Sequence, residues 1–318
     1  MFLSVQLEYL LFLQNLRDLT GNVFTGFFSC VTHLGEILIP TLIMAGIYWC
    51  INNKAGIYIL WNSAFGFLAN MILKMSACIY RPWMLDSRIK PVPSAITMAT
   101  GYSFPSGHTA GATSIFGSIA VKWWNNKLIR YSMIAIVLLV AFSRNYLGVH
   151  TPQDVLVSLL VGTFFLWFTL KLINWVEKDK NRDIVFTVII SIISIIALLY
   201  ANYKSYPINY VNGHILIDPI KIKYEAFTKT GYVLGVFWGW IIERRFINFD
   251  ASVGSKIGKI IRFIIGSLGI AIILNYTKIL WINLLGAKIG HFAYSFGFTF
   301  FITAFYPMLI KIFYNLKK

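Results

Sequence analysis

Apolar stretches of membrane length, broken by short polar interruptions, run along most of this chain. The pattern predicts spanning helices near residues 34–51, 55–79, 106–124, 129–147, 153–174, 183–202, 228–246, 258–277 and 289–312. A span needs about 20 predominantly apolar residues. Several segments sit near that minimum, and 276–288 suits either a helix or a connection. Ahead of them, Phe2, Leu3, Leu7, Leu10, Leu11 and Phe12 form the apolar side of a helix fit for the membrane interface or for packing against a bundle. That segment has neither the basic start nor the small-residue cleavage site of a secretory signal. The longest polar stretch, 203–230, lies between an N-terminal core and a C-terminal extension. The expected architecture is therefore all-α, a polytopic transmembrane helical bundle. Residues 1–180 would form the N-terminal core (the interfacial helix plus five spans), and residues 181–318 about four more transmembrane helices of unknown role. Within that extension Gly231, Gly235 and Gly239 recur every four residues, the spacing that lets two helices approach closely.

Composition supports the membrane reading. Of 318 residues, 58% are hydrophobic and only 13% charged, against about 25% charged in a soluble domain. The net charge of +16 raises the question of nucleic acid, but the cations lie between apolar segments and form no solvated basic domain. Their placement sets an orientation instead. With the 80–105 loop outside, the inner side collects Lys54, Lys122, Lys127, Arg130, Lys171, Lys178, Lys180, Arg182, Arg244, Arg245, Lys256, Lys259, Arg262, Lys311, Lys317 and Lys318, as the positive-inside rule requires. Cys30, Cys50 and Cys78 form no even framework and no C-x-x-C, which argues against disulfide scaffolds and zinc sites.

Three short segments carry the chemistry: Lys74-x6-Arg81-Pro82, Pro105-Ser106-Gly107-His108, and Ser143-Arg144-x5-His150-x3-Asp154. Each has a plain structural reading. Lys74 near a helix end can snorkel; Ser106 can cap a helix with Gly107 behind it; Thr151, Pro152 and Asp154 fit a capping box with proline at the first helical position. Read as helical, Arg81 lies two turns beyond Lys74 on the same face, with Pro82 ending that helix and Asp86 the near candidate for an ion pair. Packing alone does not account for His108 in a helix's first turn, where the N–H groups favour an anion. Nor does it account for Asp154 four residues from His150, able to hold one imidazole nitrogen and leave the other as a nucleophile. An intramembrane charge costs roughly 2.5–3.5 kcal/mol, so three cations at neighbouring helix ends call for an anionic ligand. His33, His214 and His291 lack partners at ligand spacing and read as local hydrogen-bonding residues. No acidic cluster offers a magnesium or calcium site, so no cofactor is expected.

Over roughly residues 1–175 the chain resembles the type 2 phosphatidic acid phosphatase (PAP2) superfamily, with no departure at any position of its three-part signature. The segment from Leu13 through Thr32-His-Leu-Gly-Glu to Trp49 is similar to bacterial members, while 176–318 carries no resemblance of use. The resemblance implies a PAP2-like six-helix core in a multi-pass protein of the cell membrane, and the charge placement turns its active site outward. It implies that Lys74, Arg81 and Arg144 clamp phosphate oxygens, helped by Ser106 and the Gly107 amide. It makes His150 the nucleophile of a phosphohistidine intermediate, Asp154 its orienting carboxylate, and His108 the acid that protonates the leaving oxygen and then activates water. The implied partner is a lipid phosphate: phosphatidic acid, phosphatidylglycerophosphate, a sphingoid-base phosphate or a polyprenyl diphosphate. Phosphoryl transfer to a second lipid, and lipid-phosphate binding or transport without chemistry, stay open as alternatives.

Overall fold

The computed structural model describes residues 2–97, 99–211 and 214–315, the side chains of Phe2, Val211, His214 and Asn315 excepted. Lys317 and Lys318, two of the cations placed inside, lie outside the described residues, as do the side chains of Phe2 and His214. The described chain is helical apart from an antiparallel ribbon pairing Tyr210 with Ile215 and Val211 with His214. Among the described residues, five helices are long and apolar enough to cross a membrane, six if the pair Thr25–Gly35 and Leu38–Ile51 counts as one span.

Several predicted spans change their form. The 106–124 segment becomes a run of 16 helical residues from Gly107–Ala112 through Ser118–Lys122, about 24 Å at 1.5 Å per residue and short of the hydrocarbon core. The 228–246 segment starts earlier, in Pro219–Ile242, whose first turns carry Lys221, Lys223, Glu225 and Lys229. The ambiguous 276–288 stretch is helical, and the chain runs helically over Lys256–Tyr314 with a break at Gly286, whose φ of 76° suits glycine.

The described residues divide into two compact units, each discontinuous in sequence. The first comprises Met1–Pro40, Ala69–Leu166 and Ser205–Ile222. Its centre is the helix Lys127–Tyr146, which packs against Thr25–Thr32, Gly107–Ala112 and Ser118–Lys122. The Phe28 ring lies 4.4 Å from that of Tyr146, and Ala95, Ala99, Leu147 and Val149 close a small core around them. The N-terminal helix Phe2–Leu19 docks through Leu10, Leu13, Gln6 and Arg17, all buried, while Leu3, Phe12 and Leu19 stay exposed on its other side. Arg17 donates to the carbonyls of Tyr146 and Lys90, and Gln6 exchanges two hydrogen bonds with Gln153. These contacts fix both ends of the loops that carry the polar segments.

The second unit comprises Thr41–Leu68, Trp167–Lys204 and Lys223–Lys318. Its core stacks Trp61 on Phe186 and sets it edge-on to Trp240, each 4.7 Å between centroids. The glycine stripe does what its spacing predicts: Gly231, Gly235 and Gly239 lie directly against the backbone of Phe292 and Phe296 and the side chains of Thr299 and Thr303. Thr299 and Thr303 donate across this seam to the carbonyls of Tyr232 and Gly235. Gly235→Ala is expected to force the two helices apart and destabilise the protein by about 1–3 kcal/mol, read as a lowered melting midpoint in detergent. An unchanged midpoint would show that the seam yields.

Candidate active site

All three polar segments come together in the first unit. Lys74 lies in the last turn of Asn53–Ala77 and donates to the Tyr102 carbonyl at 2.9 Å. Arg81 is not two turns further along the same helix. The helix ends at Ala77, Cys78 takes a φ of +50°, and Arg81 is extended at φ −69°, ψ 151°. Pro82 accounts for the extended Arg81, pushing the residue before it out of the helical region, and starts the next helix, Pro82–Leu85, instead of ending one. From that irregular backbone the Arg81 guanidinium bonds the carbonyls of Thr100, Gly101 and Val149, each at 3.0 Å. The carboxylate of Asp86 is engaged by Arg88 at 2.7 Å.

The third segment turns through Gly148, at φ +75°, where a side chain would press on Pro91. That turn returns His150 to the end of the Lys127–Tyr146 helix, with the amides of Val149 and His150 bonding the Arg144 carbonyl. His150 is 2% exposed. Its Nε2 lies 2.9 Å from an Arg81 nitrogen, and a guanidinium only donates, so Nε2 must carry the lone pair. The proton then sits on Nδ1, which faces Asp154 Oδ2 at 3.3 Å and Ser103 Oγ at 3.4 Å. Burial first, then Arg81, Arg144 and Lys74, hold the His150 imidazolium well below its ordinary pKa, keeping the ring neutral.

Asp154 serves both of the roles that competed for it. Its Oδ2 accepts from the Thr151 amide at 2.8 Å, the Thr151 hydroxyl accepts from the Asp154 amide at 3.4 Å, and the same Oδ2 faces His150. Ser103 adds a 2.5 Å bond to that oxygen. Ser106 caps Gly107–Ala112: its hydroxyl accepts from the amide and hydroxyl of Thr109, so its own proton stays available to a ligand. A Cβ on Gly107 would meet nothing closer than Asn70 Oδ1 at 3.9 Å, so its outward side is open.

Arg144 is the strongest pointer to a ligand. It is 1% exposed, its Nη1 donates to Thr32, and its Nε and Nη2 have no hydrogen-bond partner. Such a guanidinium, buried with two open donors and within electrostatic reach of Arg81, His108 and His150, has the charge and fork geometry that an oxyanion would satisfy. His108 stands beside it, with Nε2 buried, unbonded and 3.9 Å from Glu36 Oε1.

Sequence reading missed Thr32, Glu36, Asn70 and Ser103. Only Glu36, one of 12 acidic residues and set in an apolar stretch, left a visible signal. His33 bonds locally, to Glu36 at 2.9 Å, whereas the partner of His291 is not local: it is Thr228, at 3.1 Å and 63 residues away.

Residues 55–178 match the family model of the PAP2 superfamily. The C-terminal part, which the sequence motifs left unassigned, matches at 227–317 the model described as PAP2 superfamily phosphatase, transmembrane extension. Undecaprenyl-diphosphatase BcrC of Bacillus subtilis (strain 168) is 34% identical over 137 residues, 42% of this chain and 67% of that protein. Phosphatidylglycerophosphatase B of the same organism is 30% identical over 173 residues, 51% of this chain and 77% of that protein. Glucose-6-phosphatase catalytic subunit 1 of Mus musculus is 26% identical over 161 residues, 42% and 44% of the respective chains. No solved structure matches the chain significantly.

The open guanidinium makes a binding prediction independent of turnover. Inorganic phosphate should raise the melting midpoint of the purified protein with a saturating dose dependence. Arg144→Lys, a charge without the fork, should weaken that binding by about tenfold or more. Equal stabilisation of both proteins would remove Arg144 from the anion site.

Proposed function

The chain belongs to the PAP2 superfamily, as a multi-pass membrane phosphatase, and from that premise we propose that it hydrolyses a lipid phosphomonoester or diphosphate through a phosphohistidine on His150. The observation that carries the reading is the pairing of His150, its Nε2 set against Arg81, with the two open donors of Arg144. Phosphatidylglycerophosphate and a polyprenyl diphosphate are the substrate classes its relatives' names bring forward; phosphatidic acid and sphingoid-base phosphates fit the same chemistry. With the loops outside, the site would open at the outer interface, leaving the acyl or prenyl tail in the bilayer.

Lys74, Arg81 and Arg144 clamp the phosphoryl oxygens, and the Ser106 hydroxyl and Gly107 amide add donors. His150 Nε2 attacks phosphorus as the bond to the leaving oxygen breaks, and His108 gives that oxygen its proton. Asp154, held by Ser103 and Thr151, receives the Nδ1–H of the His150 imidazolium that develops. His108, now neutral, takes a proton from water as the water oxygen attacks phosphorus. The N–P bond breaks, releasing inorganic phosphate and restoring both rings. Fixed charges do most of this work, and they are supplied by side chains, so turnover is expected to persist in EDTA.

Phosphate release from a panel of these lipids by the purified protein tests the reading. His150→Ala should lose nearly all of it; retained release would point to a different nucleophile. Because His150 titrates below its ordinary range, its neutral form survives as pH falls. The acid limb of kcat/KM should therefore lie below about pH 6.5, and a limb above that value would contradict the cationic setting of His150. Phosphoryl transfer would show as a phosphorylated acceptor lipid in place of free phosphate.

A further inference from the structure

Glu36 lies in the break between Thr25–Gly35 and the helix beginning at Leu38. The chain there is pressed onto the helix turn that carries His108. A Cβ at Gly35 would sit 2.9 Å from both the Cβ and the carbonyl oxygen of His108, and one at Gly111 would touch the Gly35 carbonyl at 3.4 Å. Backbone packing therefore fixes the position of the carboxylate relative to the imidazole. Glu36 Oε1 is 3.9 Å from His108 Nε2, a buried atom with no hydrogen-bond partner, and 2.9 Å from His33 Nδ1.

The charges around His108 give this contact its meaning. Burial first, then Arg144 and Arg81 facing it from other elements, disfavour a positive charge on the ring, with His150 near. Glu36 faces His33, His108 and Arg144. Asp154, the other carboxylate of the site, is engaged by His150, Ser103 and Thr151. A pair with His33 alone, whose side chain is 53% exposed, does not explain why the carboxylate approaches the buried Nε2.

We propose that Glu36 is the positioning residue of the general acid, closing on Nε2 of His108 so that the ring holds its proton and presents Nδ1 to the leaving oxygen. The inference rests on the phosphatase reading above and adds a second carboxylate–imidazole pair to it. Asp154 serves a ring that must be neutral at the start; Glu36 serves one that must be charged. The 3.9 Å gap closes to a hydrogen bond when the imidazolium forms.

The test uses the full-length protein in detergent, with phosphate release measured from dioleoyl phosphatidic acid and from p-nitrophenyl phosphate. The first has an alkoxide leaving group that needs a proton, the second a phenolate that hardly does. Glu36→Gln should lower kcat on the phosphatidic acid by about tenfold or more with KM little changed. It should also move the basic limb of kcat/KM down by about one pH unit, and cost far less on the aryl phosphate. Glu36→Asp should restore the limb in part. An equal loss on both substrates with the basic limb unmoved would show that Glu36 merely supports the fold, and would overturn the proposal. Wild-type protein that releases phosphate neither from these two substrates nor from any lipid of the panel above would instead overturn the phosphatase reading, and this inference with it.

Discussion

The structure is organised around a buried positive charge left incomplete. Arg144 is fully enclosed, yet the one described hydrogen bond of its guanidinium goes to the neutral hydroxyl of Thr32, and two of its side-chain nitrogens have no partner. Removing an ion from water costs several kcal/mol unless good geometry and a counter-charge repay it. Here the geometry is supplied and the counter-charge is left to the ligand. Lys74 and Arg81 are aimed by backbone carbonyls from the 100–102 and 149 positions, which orient a cation without neutralising it. The surrounding loops serve to keep those carbonyls in place: Arg17 pins two of the loop ends, the Val92 amide bonds the Leu147 carbonyl, and Gly148 makes the turn that returns residue 149.

Economy of polar groups follows from the same constraint. A site with few carboxylates must use each of them more than once. The Oδ2 atom of Asp154 completes a helix cap, accepts from Ser103 and faces Nδ1 of His150. The cap holds the carboxylate still, so the imidazole is aligned by a group whose own position is set by backbone hydrogen bonds. The tautomer is then fixed from both sides, since Arg81 can only donate to Nε2 and Asp154 only accept from Nδ1.

How much of this was legible in the sequence depended on how far apart the partners lie. His150, Thr151 and Asp154 are within one helical turn, so periodicity and capping rules found both roles of Asp154 before any coordinates. The glycine stripe of the extension was legible for the same reason. Arg81 was misread because a seven-residue spacing suggests one helix face, although Pro82 already carried the information that the preceding residue would be extended. Ser103 and Thr32 were invisible: their bonds to Asp154 and Arg144 cross 51 and 112 residues, and serine or threonine in an apolar stretch has many uses. The break at Gly286 was equally hidden, because nothing local separates a glycine that kinks a helix from one that packs.

In the proposed mechanism, the incomplete charge asks two histidines to respond to it in opposite ways. Three cations make a neutral ring easy to keep and a charged ring hard to keep. That suits His150, enclosed at 2% exposure against Arg81, because a lone pair is what an attacking nitrogen needs. It works against His108, which as the proposed acid would hold a proton beside Arg144. A single electrostatic environment cannot satisfy both, so the acid side needs a negative group that the nucleophile side does not share. The fold has one in position, carried by a helix break whose glycine is fitted to the His108 backbone. Differentiating two like residues in one cationic pocket thus comes down to which of them has a carboxylate reserved for its charged form.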